Sequence, residues 1–593
     1  MHRPHLLAAF VIAAATSAGA MAAAPPPLDP SALVPPLAEL MPARPEAPQR
    51  MASLLQRFQT DRESVLHFYT VPYGSARDAA MQGLLSGWQQ RLQAIDFDAL
   101  GLEDKLDWVL LDRELAAQQR QLAFDRERFE AAAALLPEVD ALVALAEAGR
   151  QMQPQRGADA AGVLDRARKA LAERNSAIAK ADAKAKPAAT PIVAYRAARI
   201  LDDVQEALKE WHGFYAGYDP TLEWWVRTPY EALDETLTAY AATLREKLAG
   251  ASDPETIIGD PIGSEALADA LRHASIPYSP EQLVTLARRE LAWCHAELTK
   301  AARELGYDDW RAALEHVKTL HPAPGEQPEL VTELAWEAIR YLEANDLVTV
   351  PELARRDWRM NMLSAERQLQ APFFLGGTDV WVAFPTAEMP HEKKLMSLRG
   401  NNRHFSRAVV HHELIPGHHL QHFMVERYQP QRQLFWTPFW GEGWALYWEF
   451  RLYEMGFAKT PEDRIGMLFW RAHRAARILF SFAFHLGEMS PQEAIELLVD
   501  QVGHERENAA AEVRRSFTGD YSPIYQAAYM LGGLQFHALH EELVKSGKMS
   551  ERAFHDAILR GGPMPVEFVR MRLLGTPPAK AHRSSWEFYD FAD

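Results

Sequence analysis

The chain has 593 residues, 48% hydrophobic and 24% charged, which excludes a wholly disordered protein and allows a large buried core. Lys and Arg number 63 against 80 Asp and Glu, a net charge of −17 with no basic block, which argues against nucleic acid as a partner. A single cysteine, Cys294, excludes an internal disulfide framework and any thiolate cluster, so a metal site must use His and carboxylates.

The N-terminus reads as an address. Met1-His2-Arg3 leads into the apolar, alanine-rich run Leu6 to Ala24, with small-residue exits at Ala18-Gly19-Ala20 and Ala22-Ala23-Ala24. Residues 1–24 are expected to be a cleaved signal peptide, with no Cys after the run for lipid attachment. No later segment is apolar enough to span a bilayer. The mature protein is therefore expected to be exported, most simply to a bacterial periplasm, without stable membrane insertion.

Pro25 to Pro48 forms a proline-rich lead-in. From Met51 to Arg367 apolar residues recur at three- and four-residue spacing, as in Leu102, Leu106, Val109, Leu110 and again Ile200, Leu201, Val204, Leu208, which predicts helices. Ala179 to Pro187 is the most linker-like stretch and also suits an exposed helix end. Cys294, between Trp293 and His295, reads as inert core. Around Gly376-Gly377 the texture changes, and Thr378 to Pro385 alternates with β-branched and aromatic residues, which predicts a small β ribbon near residues 373–386. Its strand, Asp379 to Phe384, can pair with an extended peptide by edge addition or form an ordinary short ribbon over the core. The chain divides into an N-terminal helical region (25–370) and a helical region bearing the chemistry (371–593), read together as one unit.

Arg399, Arg403 and Arg407 follow at four-residue spacing, a row that can hold a substrate carboxylate or form a solvated face. Six of the 22 histidines then fall within residues 404–422, where even spreading would give about 0.7. The centre of the cluster is His411-His412-Glu413-Leu414-Ile415-Pro416-Gly417-His418-His419-Leu420-Gln421. Phe405 and Val409 share a helical face with His412, which should therefore point inward. An ordinary zinc-hydrolase helix places two His four residues apart with Glu beside the first as general base. Here the fourth position after His412 is Pro416. His418 lies six residues on, about 600° of rotation, and would face elsewhere on an ideal helix. Pro416 and Gly417 can make a local bulge that returns it to the face of His412. The rival pair, His418 and His422, has the regular spacing but leaves Glu413 without a role. His411 and His419 are expected toward solvent, the outer layer of the site, or substrate.

Zinc needs a third ligand, and Glu442 begins a new helix just after Pro438. Glu442, Leu446 and Glu449 share a face, so one carboxylate can bind metal while the other orients a ligand imidazole or meets substrate. Gln421 is a second candidate for orienting a ligand. Trp436, Phe439, Trp440, Trp444, Tyr447 and Trp448 supply an apolar surround that lowers the local dielectric.

At these residues the chain resembles the bacterial proteins grouped as domain of unknown function 885, which are similar to glutamate-liganded helical zinc peptidases. The matching segments are His412-Glu413-Leu414-Ile415-Pro416-Gly417-His418-His419-Leu420-Gln421 and Glu442-Gly443-Trp444-Ala445-Leu446-Tyr447. The resemblance implies a mainly α fold, a large two-lobed helical shell around a deep cleft. It implies zinc held by His412, His418 and Glu442, with Glu413 as base. By the same resemblance Tyr529, with Tyr525 one turn earlier in reserve, steadies the oxyanion. The Pro-Gly insertion between the histidines departs from the clan's pattern.

The expectation is an exported zinc-dependent metallopeptidase, carboxypeptidase- or oligopeptidase-like, that hydrolyses peptide or related amide bonds. Arg399, Arg403, His419 and Tyr525 are its candidate substrate contacts. The alternative is a catalytically inactive, metal-containing peptide-binding protein of the cell envelope. A carboxylate-bridged di-iron bundle needs two Glu-x-x-His pairs, and the chain has only Glu388-Met389-Pro390-His391, with proline inside it. The mode of cleavage, side-chain preference and oligomeric state stay open.

Overall fold

Helix after helix starts with a capping side chain followed by proline. Thr190, Asp219, Ser279, Thr437 and Thr460 each accept a hydrogen bond from a first-turn N–H, and the next residue is the proline at the first helical position. The computed structural model describes residues 50–181, 187–253, 256–368, 373–518 and 521–591. The expected signal peptide, the lead-in to Pro48 and residues 182–186 of the linker-like stretch lie outside the described residues.

The fold is mainly α, as expected. The helices used below are, in chain order, α1 (Leu102–Ala132), α2 (Gly157–Lys180), α3 (Pro191–Tyr215), α4 (Pro220–Thr243), α5 (Pro280–Glu304), α6 (Arg403–Glu413), α7 (His418–Tyr428), α8 (Pro438–Glu454), α9 (Pro461–His485), α10 (Arg506–Phe517) and α11 (Tyr525–His540). Along α3, Ala194, Ala197, Ala198, Leu201, Val204, Leu208 and Trp211 repeat at helical spacing, and all are buried.

Two hydrophobic cores result. The smaller joins α2, α3 and α4 through residues such as Leu164, Leu171, Leu201, Leu233 and Leu237. The larger draws on Met51 to Leu115 and on Leu267 to Phe588, so it crosses position 370 without a break. α1 bridges the two, with Leu106, Leu111 and Leu115 in the larger core and Ala132 in the smaller.

Strands β1 (Arg359–Met362), β2 (Phe374–Leu375) and β3 (Asp379–Val382) form a three-stranded sheet in the order β1-β3-β2. β1 runs parallel to β3 with Arg359 opposite Asp379, and β2 antiparallel to it with Leu375 opposite Trp381. The free edge expected along Asp379 to Phe384 is therefore corrected: β3 is the central strand, paired with β1 along its length and with β2 at Trp381 and Val382. β1 lies outside the expected ribbon, because Arg359-Met360-Asn361-Met362 has none of the β-branched or aromatic content that marks a strand.

The site sits where α8 and α11 cross. A Cβ on Gly443 would stand 2.5 Å from the Gly532 Cα, and one on Gly532 would stand 2.2 Å from the Phe439 carbonyl oxygen. Only glycines let the two backbones approach this closely. The flanking Trp440, Trp444, Tyr447 and Trp448 are all buried and make the apolar backing of the site.

Candidate metal centre

α6 ends at Glu413 and α7 begins at His418. What was expected as a local bulge in one helix is a full break between two, since Pro416 cannot donate into a continuing ladder. Leu414 (φ −104°, ψ −101°) and Gly417 (φ −78°, ψ −135°) turn the chain. Gly417 N–H then donates back to the His411 carbonyl at 3.0 Å, and a Cβ on Gly417 would lie 1.7 Å from the His412 carbonyl oxygen. Trp444 holds the turn from α8, its Nε1–H donating to the Pro416 carbonyl at 2.8 Å.

The turn brings His412 and His418 together, with ring centroids 4.9 Å apart and planes nearly perpendicular. Their Nε2 atoms lie 3.3 and 3.1 Å from the same atom, Glu442 Oε2. One ligand atom from each of the three residues falls within 4.8 Å of the others, a spacing that a single ion can bridge. His422 lines the cavity but does not join them, so the regular-spaced pair His418 and His422 is not the one that converges.

Each imidazole is aimed from behind. His412 Nδ1 meets Glu449 Oε1 at 2.7 Å. His418 Nδ1 meets Gln421 Oε1 at 3.2 Å, while Gln421 Nε2 donates to the Trp440 carbonyl at 3.2 Å. With Nδ1 as the donor, each neutral ring turns its Nε2 lone pair toward the Glu442 carboxylate. Three acceptors facing one point repel unless positive charge sits among them.

Protons on the two imidazoles are one source of that charge. Burial opposes charge on His418, but the Glu442 carboxylate outweighs it and pushes the imidazole up to about 9. His412 is likewise raised, its burial outweighed by hydrogen bonds to Glu442 and Glu449. Glu442 is pushed up by burial yet held well below the usual carboxylate range by His418 and His412. A cation at the centre would satisfy all three.

The cluster opens onto a cavity of about 380 Å³ lined by Glu413, Tyr525, Tyr529, Trp381, Trp436 and others. Burial raises the Glu413 carboxyl above its ordinary value, against the pull of His418 and His412. Tyr525 donates its hydroxyl to Glu442 Oε1. Tyr529 instead stacks its ring on His412, 6.0 Å between centroids and 14° between planes. The hydroxyl that reaches the ligand cluster is thus that of Tyr525, the reserve residue.

Four substrate contacts expected from sequence are corrected. Arg399 is bound to Glu315 and Glu505, and Arg403 to Glu333 at 2.6 Å. Arg407, the third of that row, is tied to Glu337 and Asp463. All three ion-pair neighbouring helices, and none lines the cavity. His419 is buried on the far side of α7, its Nε2 2.7 Å from the Ala354 carbonyl and 3.0 Å from Asp357. His411, expected toward solvent or the site, is buried edge-on against Phe457, and burial pushes it down to about 4.

Sequence reasoning missed Arg474, Arg477 and Arg515, which line the cavity from α9 and α10. A signal was present: Arg471-Ala472-His473-Arg474-Ala475-Ala476-Arg477 sits inside a helix otherwise too apolar to face water.

The family described as bacterial protein of unknown function (DUF885) matches residues 70–573. No curated protein matches the chain. Among solved structures, a candidate lipoprotein of unknown function from Shewanella oneidensis is 17% identical, with a TM-score of 0.65 over 88% of this chain and 99% of that one. A candidate lipoprotein from Colwellia psychrerythraea is 16% identical, with a TM-score of 0.57 over 89% of this chain and 98% of that one. At such identities the likeness establishes a shared fold.

Proposed function

The chain belongs to the bacterial proteins of unknown function DUF885, and from that premise we propose that it is an exported, zinc-dependent hydrolase of peptide or related amide bonds. The observation that carries this reading is the convergence of His412 Nε2 and His418 Nε2 on Glu442 Oε2, with both Nδ1 atoms already committed to acceptors. Two imidazoles and a carboxylate are the donor set that zinc takes in hydrolytic sites, and the cavity beside them leaves room for a further position. His412, His418 and Glu442 would hold the ion, and when bound it supplies Lewis acidity toward a carbonyl oxygen and water.

The chain's own residues supply the rest. Glu413, next in sequence to His412 and lining the same cavity, takes a proton from water and returns it to the leaving amine. Tyr525 donates its single O–H to Glu442 and fixes the carboxylate, and it stabilises the oxyanion by turning that O–H from Glu442 to the reacting carbonyl oxygen. Trp381, Trp436 and Trp470 narrow the cavity and displace water from it.

Export is part of the proposal. Its support is the apolar lead Leu6 to Ala24 and the lipoprotein descriptions of the two structural relatives. Among the described residues, no helix is long and apolar enough to cross a membrane.

Mass spectrometry of a peptide library incubated with zinc-loaded protein tests the reading. Cleavage that disappears in Glu413→Gln while zinc is retained supports it. Undiminished cleavage by that variant rejects Glu413 as base, and no cleavage by the zinc-loaded wild type rejects the hydrolase.

A further inference from the structure

Arg474, Arg477 and Arg515 are only 6%, 3% and 9% exposed. A guanidinium buried to that extent is costly unless it is paired and hydrogen-bonded. Their counter-charges are few. Glu512 meets Arg477 at 2.7 Å and Arg515 at 3.7 Å. Arg474 reaches Glu449 at 3.8 Å, but that carboxylate is already committed to His412. In direct ion pairs three cations thus share two carboxylates, one of them engaged elsewhere, while Glu413 and Glu442 line the same cavity.

Arg474 Nε, Arg477 Nη1 and Arg515 Nε have no hydrogen-bond acceptor among the described residues. The guanidiniums lie instead over aromatic rings: Arg474 and Arg477 are 4.7 and 4.3 Å from the Tyr529 centroid, and Arg515 is 4.7 Å from that of Tyr521. A ring face attracts a cation but accepts no in-plane N–H bond. Burial and the adjacent Arg477 both lower Arg474 from its ordinary value, whereas burial of Arg477 and Arg515 is outweighed by Glu512 and both are raised, so Arg474 is the cation short of counter-charge. The Tyr529 ring that carries two of these cations is the one stacked on His412, so the arginines stand next to the ligand cluster in one cavity.

We propose that Arg474, Arg477 and Arg515 form a carboxylate-binding subsite beside the His412, His418 and Glu442 cluster. A carboxylate has about four lone-pair sites and takes guanidinium N–H groups in a planar fork, and three guanidinium side chains line this cavity. Glu512, held from behind by Arg477 and Arg515, fixes the geometry without filling the cavity. In catalysis, which rests on the hydrolase reading above, the subsite selects substrates with a free carboxylate close to the scissile bond. That group is either the peptide's own C-terminus or an acidic side chain.

Calorimetric titration of the metal-free wild-type chain separates anion binding from metal and turnover. Succinate should saturate one site per chain, and uncharged succinamide should bind at least ~30-fold more weakly. Arg474→Gln and Arg515→Gln should each weaken succinate at least ~10-fold while thermal unfolding shows a folded chain. Equal affinity for acid and amide, or no succinate binding by folded wild type, overturns the subsite. The zinc-loaded enzyme then assigns the source. Loss of cleavage when the peptide C-terminus is amidated points to the terminus, and loss when Glu is replaced by Gln points to the side chain. Equal cleavage of all these peptides overturns the selecting role. Failure to cleave any peptide counts against the hydrolase alone, and the titration still decides the subsite.

Discussion

His412 Nδ1 lies 2.7 Å from Glu449 Oε1, and that bond determines which ring nitrogen faces the cavity. Glu449→Gln keeps the shape of the side chain but loses the charge, so the imidazole is less basic and its tautomer less fixed. Zinc affinity should fall ~10–100-fold with the fold intact, as is usual for carboxylates behind a ligand histidine. Competition with a chromogenic chelator measures it, and unchanged affinity would show that Glu449 does not position the ring.

Gly417→Ala should separate assembly of the site from stability of the whole. The added methyl would fall 1.7 Å from the His412 carbonyl oxygen, so α6 and α7 must move apart. Overpacking of this kind costs roughly 1–3 kcal/mol. The larger effect should be on zinc affinity, because His412 and His418 lie on opposite sides of the displaced turn. Full zinc affinity in a destabilised variant would contradict the turn's role.

The two tyrosines should behave differently. Tyr525 bonds Glu442, whereas Tyr529 offers a ring to His412 and to Arg474 and Arg477. Tyr525→Phe should lower kcat by ~10²–10³, the loss expected for one donor to an oxyanion. Tyr529→Phe keeps the ring and should change kcat less than tenfold. The reverse ranking would return the catalytic role to Tyr529.

Buried histidines away from the site should make the protein acid-sensitive. Burial pushes His485 down to about 4 and His504 and His555 down to about 3. His555 is satisfied as a neutral ring, donating from Nδ1 to the Leu347 carbonyl and accepting the Tyr447 hydroxyl at Nε2. Unfolded, each titrates near ~6.5, so between pH ~6.5 and ~3 the unfolded chain binds more protons and stability falls as the pH falls. The urea midpoint should drop steadily as the pH falls from ~6.5 to ~4.5. A midpoint constant across that range would contradict the assignment.

Much of this was legible in the sequence, for physical reasons that differ from residue to residue. The α3 and α8 helices announce themselves by apolar spacing and by Thr-Pro starts at 190–191 and 437–438. His412, His418 and Glu442 were found because histidine density and a carboxylate one turn into a new helix are rare together. The form of the turn was not legible, since Pro416-Gly417 fits a bulge or a break equally well until Trp444 and the His411 carbonyl are in place. Arg399, Arg403 and Arg407 share the spacing of a binding row and of a row of interhelical ion pairs, and only packing tells them apart. Arg474 and Arg477 on α9 and Arg515 on α10 escape because periodicity marks a helix face against water, whereas these three buried side chains face a cavity.

Zinc stoichiometry measures most directly whether His412, His418 and Glu442 hold one ion, as proposed. Purified wild-type protein, loaded with zinc and dialysed against buffer free of metal, should retain one zinc per chain by elemental mass spectrometry. Glu413→Gln should also retain one, while His412→Ala, His418→Ala and Glu442→Ala should each lose it with helix content preserved by circular dichroism. A folded wild type that retains no zinc, or a His412→Ala protein that still holds one, would contradict the account.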